Sequence, residues 1–386
     1  MILIGVSGSI AAYKSIELAK LLVENGFEIE IILSASAADF VSPLTLNSLF
    51  PNKVHLHDEF LSSSGEMLHI TLAKAAEMIL IAPASANMIG KISNGLADCL
   101  LSTVCLATKA PIIVAPAMNK VMWENQFVQS NISKLQHIIG PASGKQACGD
   151  VGLGRMIDPV DIVKYVKEFS IKKILNKKRI VITAGPTHEK IDPVRYISNY
   201  SSGKMGYALA KIAVLMGAEV TLISGPTNLT PPQGVRLINI ETSEEMFEAS
   251  MDAAKDSDVF IGAAAVADYS PKNYSNQKIK KNDLDLNLSL KENSDIIASV
   301  KKMHSNVFVV GFAAETNNFI EYGVKKLKSK NIDIIAINDV SGGKVFNSDN
   351  NELHVVTKDD KECLISRNNK NEVAKKLLEF LSSYLI

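Results

Sequence analysis

The chain has 386 residues, with 41 basic and 41 acidic side chains and a formal net charge of zero. That length suits two domains better than one, the balanced charge leaves no footprint for nucleic acid or an anionic membrane surface, and no apolar run is long enough to span a bilayer. Cys99, Cys105, Cys148 and Cys363 lie far apart and form no C-x-x-C pair, which argues against a disulfide framework or a structural zinc and for a reducing cytoplasm.

The first predicted element is the strand in MILIGVSGS. It has no basic n-region and reads as a buried strand meeting a glycine turn, not as a signal peptide. The helical stretch SIELAKLLVENG and the strand FEIEIILSA follow, and MILIAPAS and PIIVAPAM are further short apolar runs ending in proline and small residues. The basic stretch VKEFSIKKILNKKR then marks a boundary. It separates a first domain, residues 1–170, from a second, residues 179–386, with 171–178 as linker. The second domain restarts the same unit with KRIVITAGP, YALAKIAVLMG and AEVTLISGP, and continues with DVFIGAAAVAD, VFVVGFAAET and DIIAIND. Strand, loop, helix, glycine and strand in that order make a βαβ unit with a parallel sheet. The predicted fold is α/β: two Rossmann-like domains, each a mostly parallel sheet flanked by helices, the first flavodoxin-like. PKNYSNQKIKKNDLDLNLSL is polar and lysine-rich and reads as a long loop or flap leading into a strand.

In open α/β sheets ligands bind beyond the carboxyl ends of the strands, so the residues just after these runs are the site candidates. GVSGSIAAYK lacks the G-x-G-x-x-G fingerprint. Its Gly8 and Ser9 either cradle one phosphate monoester at a helix start, which favours a mononucleotide such as FMN over NAD, or form a plain tight turn. Residues 82–104 are dense in Ser, Asn and Gly after a buried strand; they can bond a flavin or simply cap a helix. Asn119 follows another strand, with methionines and a tryptophan nearby to wall a pocket. Cys148 sits in a loop with Gly149, Gly152 and Gly154, where a thiol can close over a substrate and deliver a proton or be an ordinary small hydrophobe. His69 starts a predicted helix and is either catalytic or structural.

The stretch NYSSGKMG, Asn199 to Gly206, imitates a phosphate-binding P-loop. That pattern requires a glycine where Ser198 stands and a Ser or Thr where Met205 stands, so it is not a Walker A loop. Backbone N–H groups there, with Ser201 and Ser202, suit an anion without a Walker lysine. Lys278, Lys280 and Lys281 form a charge run that is either a solvated face or a cover for phosphates. Lys326 and Lys330 share one helix face at i, i+4 spacing. Asp268 follows a buried strand, where it either contacts a ribose or metal or caps a helix.

Taken together, GSIAAYK, HITLAKAAEMILIAPASAN, PAMNKVMW and ACGDVGLGRM resemble the FMN-dependent phosphopantothenoylcysteine decarboxylases. ITAGPTHEKIDPVRYISNYSSGKMG, AAVADY, KIKK, GFAAET and KNIDIIAINDVS resemble phosphopantothenate–cysteine ligase, and the two in this order resemble the bacterial bifunctional enzymes of coenzyme A biosynthesis. Met88, where the family often has Thr, and Cys99, where it often has Asn, depart from the pattern in the flavin-lining stretch.

The resemblance implies that His69 is the catalytic histidine, Asn119 binds the substrate carboxylate and Cys148 donates the proton of the reductive step. It also implies FMN contacts at Gly8, Ser9, Ser34, Ser85 and Asn87. For the ligase half it implies CTP activation of phosphopantothenate as an acyl-cytidylate, attack by L-cysteine, and Mg²⁺ carried mainly by the CTP phosphates. The implied CTP contacts are Gly262, Ala263, Ala264, Asp268, Lys278, Asn293, Ser294, Asp295, Ile296, Phe312, Lys326 and Lys330. Arg195 and Asn199 serve the substrate, with Asn199 and Lys278 catalytic. A homo-oligomer is implied, with trimeric contacts through the first domain and dimeric contacts through the second. Two readings of other classes are a flavin-binding regulatory subunit, disfavoured by His69, Asn119 and Cys148 occurring together, and an NAD(P)-dependent oxidoreductase, disfavoured by the missing fingerprint.

Overall fold

Strand composition dictates the architecture. In the first unit β1 (Ile2–Val6), β2 (Ile29–Leu33), β3 (Val54–Leu56), β4 (Met78–Ala84), β5 (Ile112–Pro116) and β6 (His137–Ile138) form a six-stranded sheet in the order β3-β2-β1-β4-β5-β6. Every pairing in it is parallel. β1 and β4 are buried at every position, as a parallel strand covered by helices on both faces requires. The helix Lys14–Glu24 buries Ser15, Leu18, Ala19 and Leu22, an i, i+3, i+4, i+7 stripe that turns one face to the sheet. A separate antiparallel hairpin, β7 (Ala142–Lys145) and β8 (Val151–Arg155), follows the sheet.

The computed structural model describes residues 1–61, 65–280, 286–315, 319–339 and 348–385. The chain divides into two compact units, Met1–Ser170 and Ile171–Ile386.

The second unit repeats the plan. Its strands are β9 (Arg179–Ala184), β10 (His188–Lys190), β11 (Tyr196–Ser198), β12 (Glu219–Ser224), β13 (Val235–Asn239), β14 (Val259–Gly262), β15 (Tyr269–Pro271), β16 (Leu290–Glu292), β17 (Phe308–Glu315), β18 (Ile334–Asp339), β19 (Asn350–Thr357) and β20 (Glu362–Asn369). The main sheet runs β13-β12-β9-β14-β17-β18-β19-β20. Its first six strands are parallel and reproduce the doubly wound order of the first unit. β19 and β20 extend it antiparallel. The helices Lys204–Leu215 and Lys370–Ser382 cover one face, with Leu209, Leu377 and Leu381 fully buried. The helices Ser243–Ala254, Ile296–Met303 and Phe319–Lys330 contribute to the core on the other.

Two expectations change in detail. The predicted linker is docked: Leu175 is fully buried in the second unit's core and its N–H donates to the Met216 carbonyl at 3.0 Å. An apolar residue inside a basic run anchors the run while Lys172, Lys173 and Lys177 stay exposed. The predicted flap lies between β15 and β16, which pair with each other; Lys281 falls outside the described residues.

Candidate active sites

In each unit the strand order reverses beside the first strand, between β1 and β4 and between β9 and β14. Loops leaving those neighbours diverge and open a crevice. Both crevices hold a cavity.

In the first unit a cavity of about 600 Å³ is lined by the turn after β1 (Gly8, Ser9, Ile10), the turn after β4 (Ser85, Ala86) and Met118, Asn119 and Cys148. Buried Ser7 donates to the Pro83 carbonyl at 2.8 Å and accepts from the Ser85 N–H at 2.7 Å. Those bonds fix the two turns against each other. Ser9 and Ser85 cap the short helical segments that follow, accepting from the N–H groups of Ala11 and Met88.

The hairpin brings the thiol to the same place. Asn119 Nδ2 donates to Gln146 Oε1 at 3.2 Å, to Cys148 Sγ at 3.2 Å and to Asp150 Oδ2 at 2.9 Å. Its Oδ1 accepts from the Val121 N–H at 2.8 Å, so the carboxamide also caps the helix Lys120–Glu124. The Cys148 thiol donates to Asp150 Oδ2 at 3.4 Å. Hydrogen bonds from Asn119 and then Cys148 hold the Asp150 carboxyl below its ordinary range. Lys14, Lys145 and Arg155 add positive charge to the lining, and Lys14 pairs with Asp158 at 2.6 Å.

His69 is placed differently. It begins the helix Leu68–Ala75, lies edge-on to Phe60 with centroids 6.1 Å apart, and is not among the residues lining this cavity. Its Nδ1 is buried and has no hydrogen-bond partner among the described residues. Ser34 caps the segment Ala35–Ala38 through the Ala37 N–H, and Asn87 is exposed; neither lines the cavity.

In the second unit a cavity of about 170 Å³ joins Ser201, Ser202 and Lys204 to Ala263, Ala264 and Phe312. The imitation P-loop is thus the start of a twelve-residue helix, Lys204–Leu215. Gly203 caps that helix at φ +74, a conformation L side chains rarely adopt. A Cβ on Gly206 would lie 2.5 Å from Ala184 Cβ, so this glycine lets the helix approach β9. Asn199 does not point freely into the cavity. Its Nδ2 donates to the Val266 carbonyl at 2.9 Å and more weakly to that of Ala265 at 3.5 Å, tying the loop to the segment after β14.

The remaining candidates are not among the residues lining this cavity. Gly262 ends β14, packed against Ile297. Asp295 caps the helix Ile296–Met303, whose Ile296 is buried in the core, and pairs with Lys330 at 2.9 Å. Asn293 is locked by Ser270 at 2.7 Å and by the Ala267 carbonyl at 2.8 Å; with Ser294 it lines a neighbouring cavity of about 620 Å³. Asp268, Lys278 and Lys326 are exposed. Arg195 pairs at 3.0 Å with buried Asp192 and reaches the Ile279 carbonyl at 3.2 Å, holding the lysine-rich loop by its backbone. Among the described residues no cluster of three or more His, Cys, Asp or Glu forms a metal site. No helix among them is long and apolar enough to cross a membrane.

A flavoprotein family model matches residues 1–170. The model of the DNA/pantothenate metabolism flavoprotein C-terminal domain matches residues 175–385. The coenzyme A biosynthesis bifunctional protein CoaBC of Haemophilus influenzae is 47% identical over 392 positions, covering 99% of this chain and 97% of that protein. The chain belongs to the CoaBC family of bifunctional coenzyme A biosynthesis proteins. The CoaBC protein of Escherichia coli K12 is 44% identical over 375 positions, covering 94% of this chain and 92% of that one. Among solved structures, the C-terminal domain of a CoaBC protein is 41% identical and covers 55% of this chain and 98% of its own, with a TM-score of 0.49. The family's two activities are a phosphopantothenoylcysteine decarboxylase and a phosphopantothenate–cysteine ligase.

Sequence reasoning passed over Gln146 and Asp150. Gln146 accepts from both the Asn119 side chain and the Lys120 N–H, and Asp150 is bonded to both Asn119 and Cys148. Their signal was the polar pair bracketing Cys148 in QACGD, readable only once the hairpin is known.

Proposed function

We propose that the chain performs two consecutive steps of coenzyme A biosynthesis. The second unit joins phosphopantothenate to L-cysteine, with CTP activating the carboxylate as an acyl-cytidylate and releasing pyrophosphate, then CMP. The first unit decarboxylates the resulting phosphopantothenoylcysteine to phosphopantetheine. The observation that carries the reading is the 3.2 Å contact between Asn119 and Cys148 at the mouth of the β1/β4 crevice.

The first cavity suits FMN in size and wall. Its volume of about 600 Å³ falls within the roughly 300–1,000 Å³ of cofactor sites. Ile10, Ala11, Met118 and Met122 offer apolar walls to a ring, and the Gly8–Ser9 turn is polar. Bound FMN supplies the two-electron oxidation and reduction that loss of CO₂ from an unactivated carbon requires. Asn119 presents an amide donor to a carboxylate, a role Asp150 fills in this structure. Cys148 holds a proton beside it for the final protonation.

Ile10, Tyr13 and Met122 line the cavity yet stay 60%, 61% and 48% exposed. Together with the position of His69, this supports a second copy closing the site and lending its own histidine. We assign trimeric contacts to the first unit and dimeric contacts to the second. Mg²⁺ enters the second site on the CTP phosphates, and the reduced cysteines fit the cytoplasm.

The test is to incubate the full-length protein with phosphopantothenate, cysteine, Mg²⁺ and either CTP or ATP. CMP and CO₂ should form with CTP, and heat-released cofactor should be FMN. Released NAD, or no nucleoside monophosphate with either nucleotide, would overturn the reading.

A further inference from the structure

The second cavity has a wall that the family pattern did not supply. Asn351, near the start of β19, lines it and is only 5% exposed. Its Oδ1 is buried without a hydrogen-bond partner among the described residues, and its Nδ2 meets only the Met205 thioether at 3.7 Å. A thioether is a weak acceptor, so a buried carboxamide is left nearly unsatisfied. Such a group is costly unless a ligand completes it. The β19–β20 register shifts between Asn351 and Leu353, and bulges of this kind re-aim side chains beside functional sites.

Lys370 stands on the same wall, at the first position of the helix Lys370–Ser382. Burial, then the neighbouring Lys204 ammonium, holds Lys370 below the usual lysine range. Lys204 also lines the cavity and pairs with Asp349 at 2.6 Å. Two lysines therefore line one crevice at a helix N-terminus, where the backbone favours anions, with one of their two charges paired to Asp349.

We propose that Asn351 and Lys370 are binding residues for the polyphosphate of the ligase's nucleotide. The Lys370 ammonium donates to a phosphate oxygen. The Asn351 carboxamide, turned by half a rotation about its last bond, exchanges its poor thioether contact for a phosphate acceptor. Lys370 Nζ donates to the Ser348 carbonyl and Asp349 offsets part of the positive charge, so a phosphate chain fits this wall by adding negative charge beside the lysines and an acceptor for Asn351. This rests on the nucleotide-dependent ligase reading given above.

The experiment measures CMP formation by the full-length protein, with inorganic tripolyphosphate as a competing probe. Lys370→Met should raise both the KM for CTP and the inhibition constant for tripolyphosphate by roughly tenfold or more, the size of a lost hydrogen bond to a charged group. The KM for phosphopantothenate and CO₂ release from supplied phosphopantothenoylcysteine should hold. Asn351→Asp should be worse than Asn351→Ala, because it turns a donor into a repelling acceptor. Unchanged CTP and tripolyphosphate constants in folded Lys370→Met overturn the proposal, as does Asn351→Asp binding CTP as well as Asn351→Ala. Should the Asn351 variants unfold, Lys370→Met decides alone. A wild-type protein that forms no CMP overturns the ligase reading itself, a failure distinct from wild-type turnover with unaffected variants.

Discussion

Asn119 donates its amide to the Cys148 sulfur across 3.2 Å, although 29 positions separate the two in the chain. A strand end supplies the amide and a hairpin tip supplies the thiol. Serine at position 148 keeps the hydrogen bonding but is a much weaker acid. Cys148→Ser should therefore still release CO₂ while the final protonation stalls. Under anaerobic conditions an oxidised ene-thiol product should accumulate in place of phosphopantetheine. A normal yield of phosphopantetheine removes Cys148 from the mechanism.

Gly154 controls how closely the hairpin approaches Asn119. Its φ is +139, and a Cβ there would lie 2.4 Å from the Met118 carbonyl oxygen and 2.7 Å from Gln146 Nε2. Backbone cannot yield as a flexible side chain does, so Gly154→Ala must push the hairpin away. A displacement of about 1 Å can cost on the order of a hundredfold in rate. Decarboxylation should fall by about that factor while CMP formation is retained. Wild-type decarboxylation in the variant would show that the hairpin's position is unimportant.

The Asp150 contacts set a pH dependence. Asp150 is held below its ordinary carboxylate value of 3.8 by Asn119 and Cys148. With the folded value depressed, its stabilisation of the tip is fully present above the ordinary value and is lost as pH falls through the folded one. Amide-exchange protection at residues 146–150, corrected for intrinsic exchange, should therefore be flat from pH 7 to about 5 and decline only below about 4. Asp150→Asn should remove that acid-dependent decline. A wild-type decline centred near neutral pH would assign the tip's anchoring to another group.

In the ligase unit the test falls on Asn199, which here donates to the Val266 carbonyl at 2.9 Å. Its amide carries two N–H groups, so the one that only weakly reaches the Ala265 carbonyl can turn to a reacting carbonyl while the other keeps Val266. Asn199→Asp repels both the carbonyl and a developing oxyanion, and losing one such donor costs roughly a hundred- to thousandfold in rate. Pyrophosphate should appear in a single turnover, with little CMP after cysteine is added. CMP at the wild-type rate would leave Asn199 as a tether between two loops.

Much of this was legible because parallel strands buried on both faces spell themselves as short apolar runs. MILIAPA and VFIG became β4 and β14, and the residues after them line the two crevices. The resemblance named Asn119 and Cys148, but no spacing rule could show that they touch, since the β7–β8 hairpin brings them together. Asn351 and Lys370 were missed for a related reason. They lie on antiparallel strands and a helix added after the doubly wound core, where the rule about carboxyl ends of parallel strands gives no guidance. Leu175 shows the opposite failure: a basic run read as linker concealed one buried anchor.

The central claim is two separate active sites in one chain, used in sequence. The most direct measurement supplies phosphopantothenate, CTP and cysteine labelled in its carboxyl carbon, and follows CMP and labelled CO₂ together in wild type and in His69→Asn. In wild type the two products should reach equal final amounts, with CO₂ trailing CMP. In folded, oligomeric His69→Asn, CMP should form at an unchanged rate while the label stays in phosphopantothenoylcysteine. Equal loss of CMP and CO₂ in that variant would contradict the account.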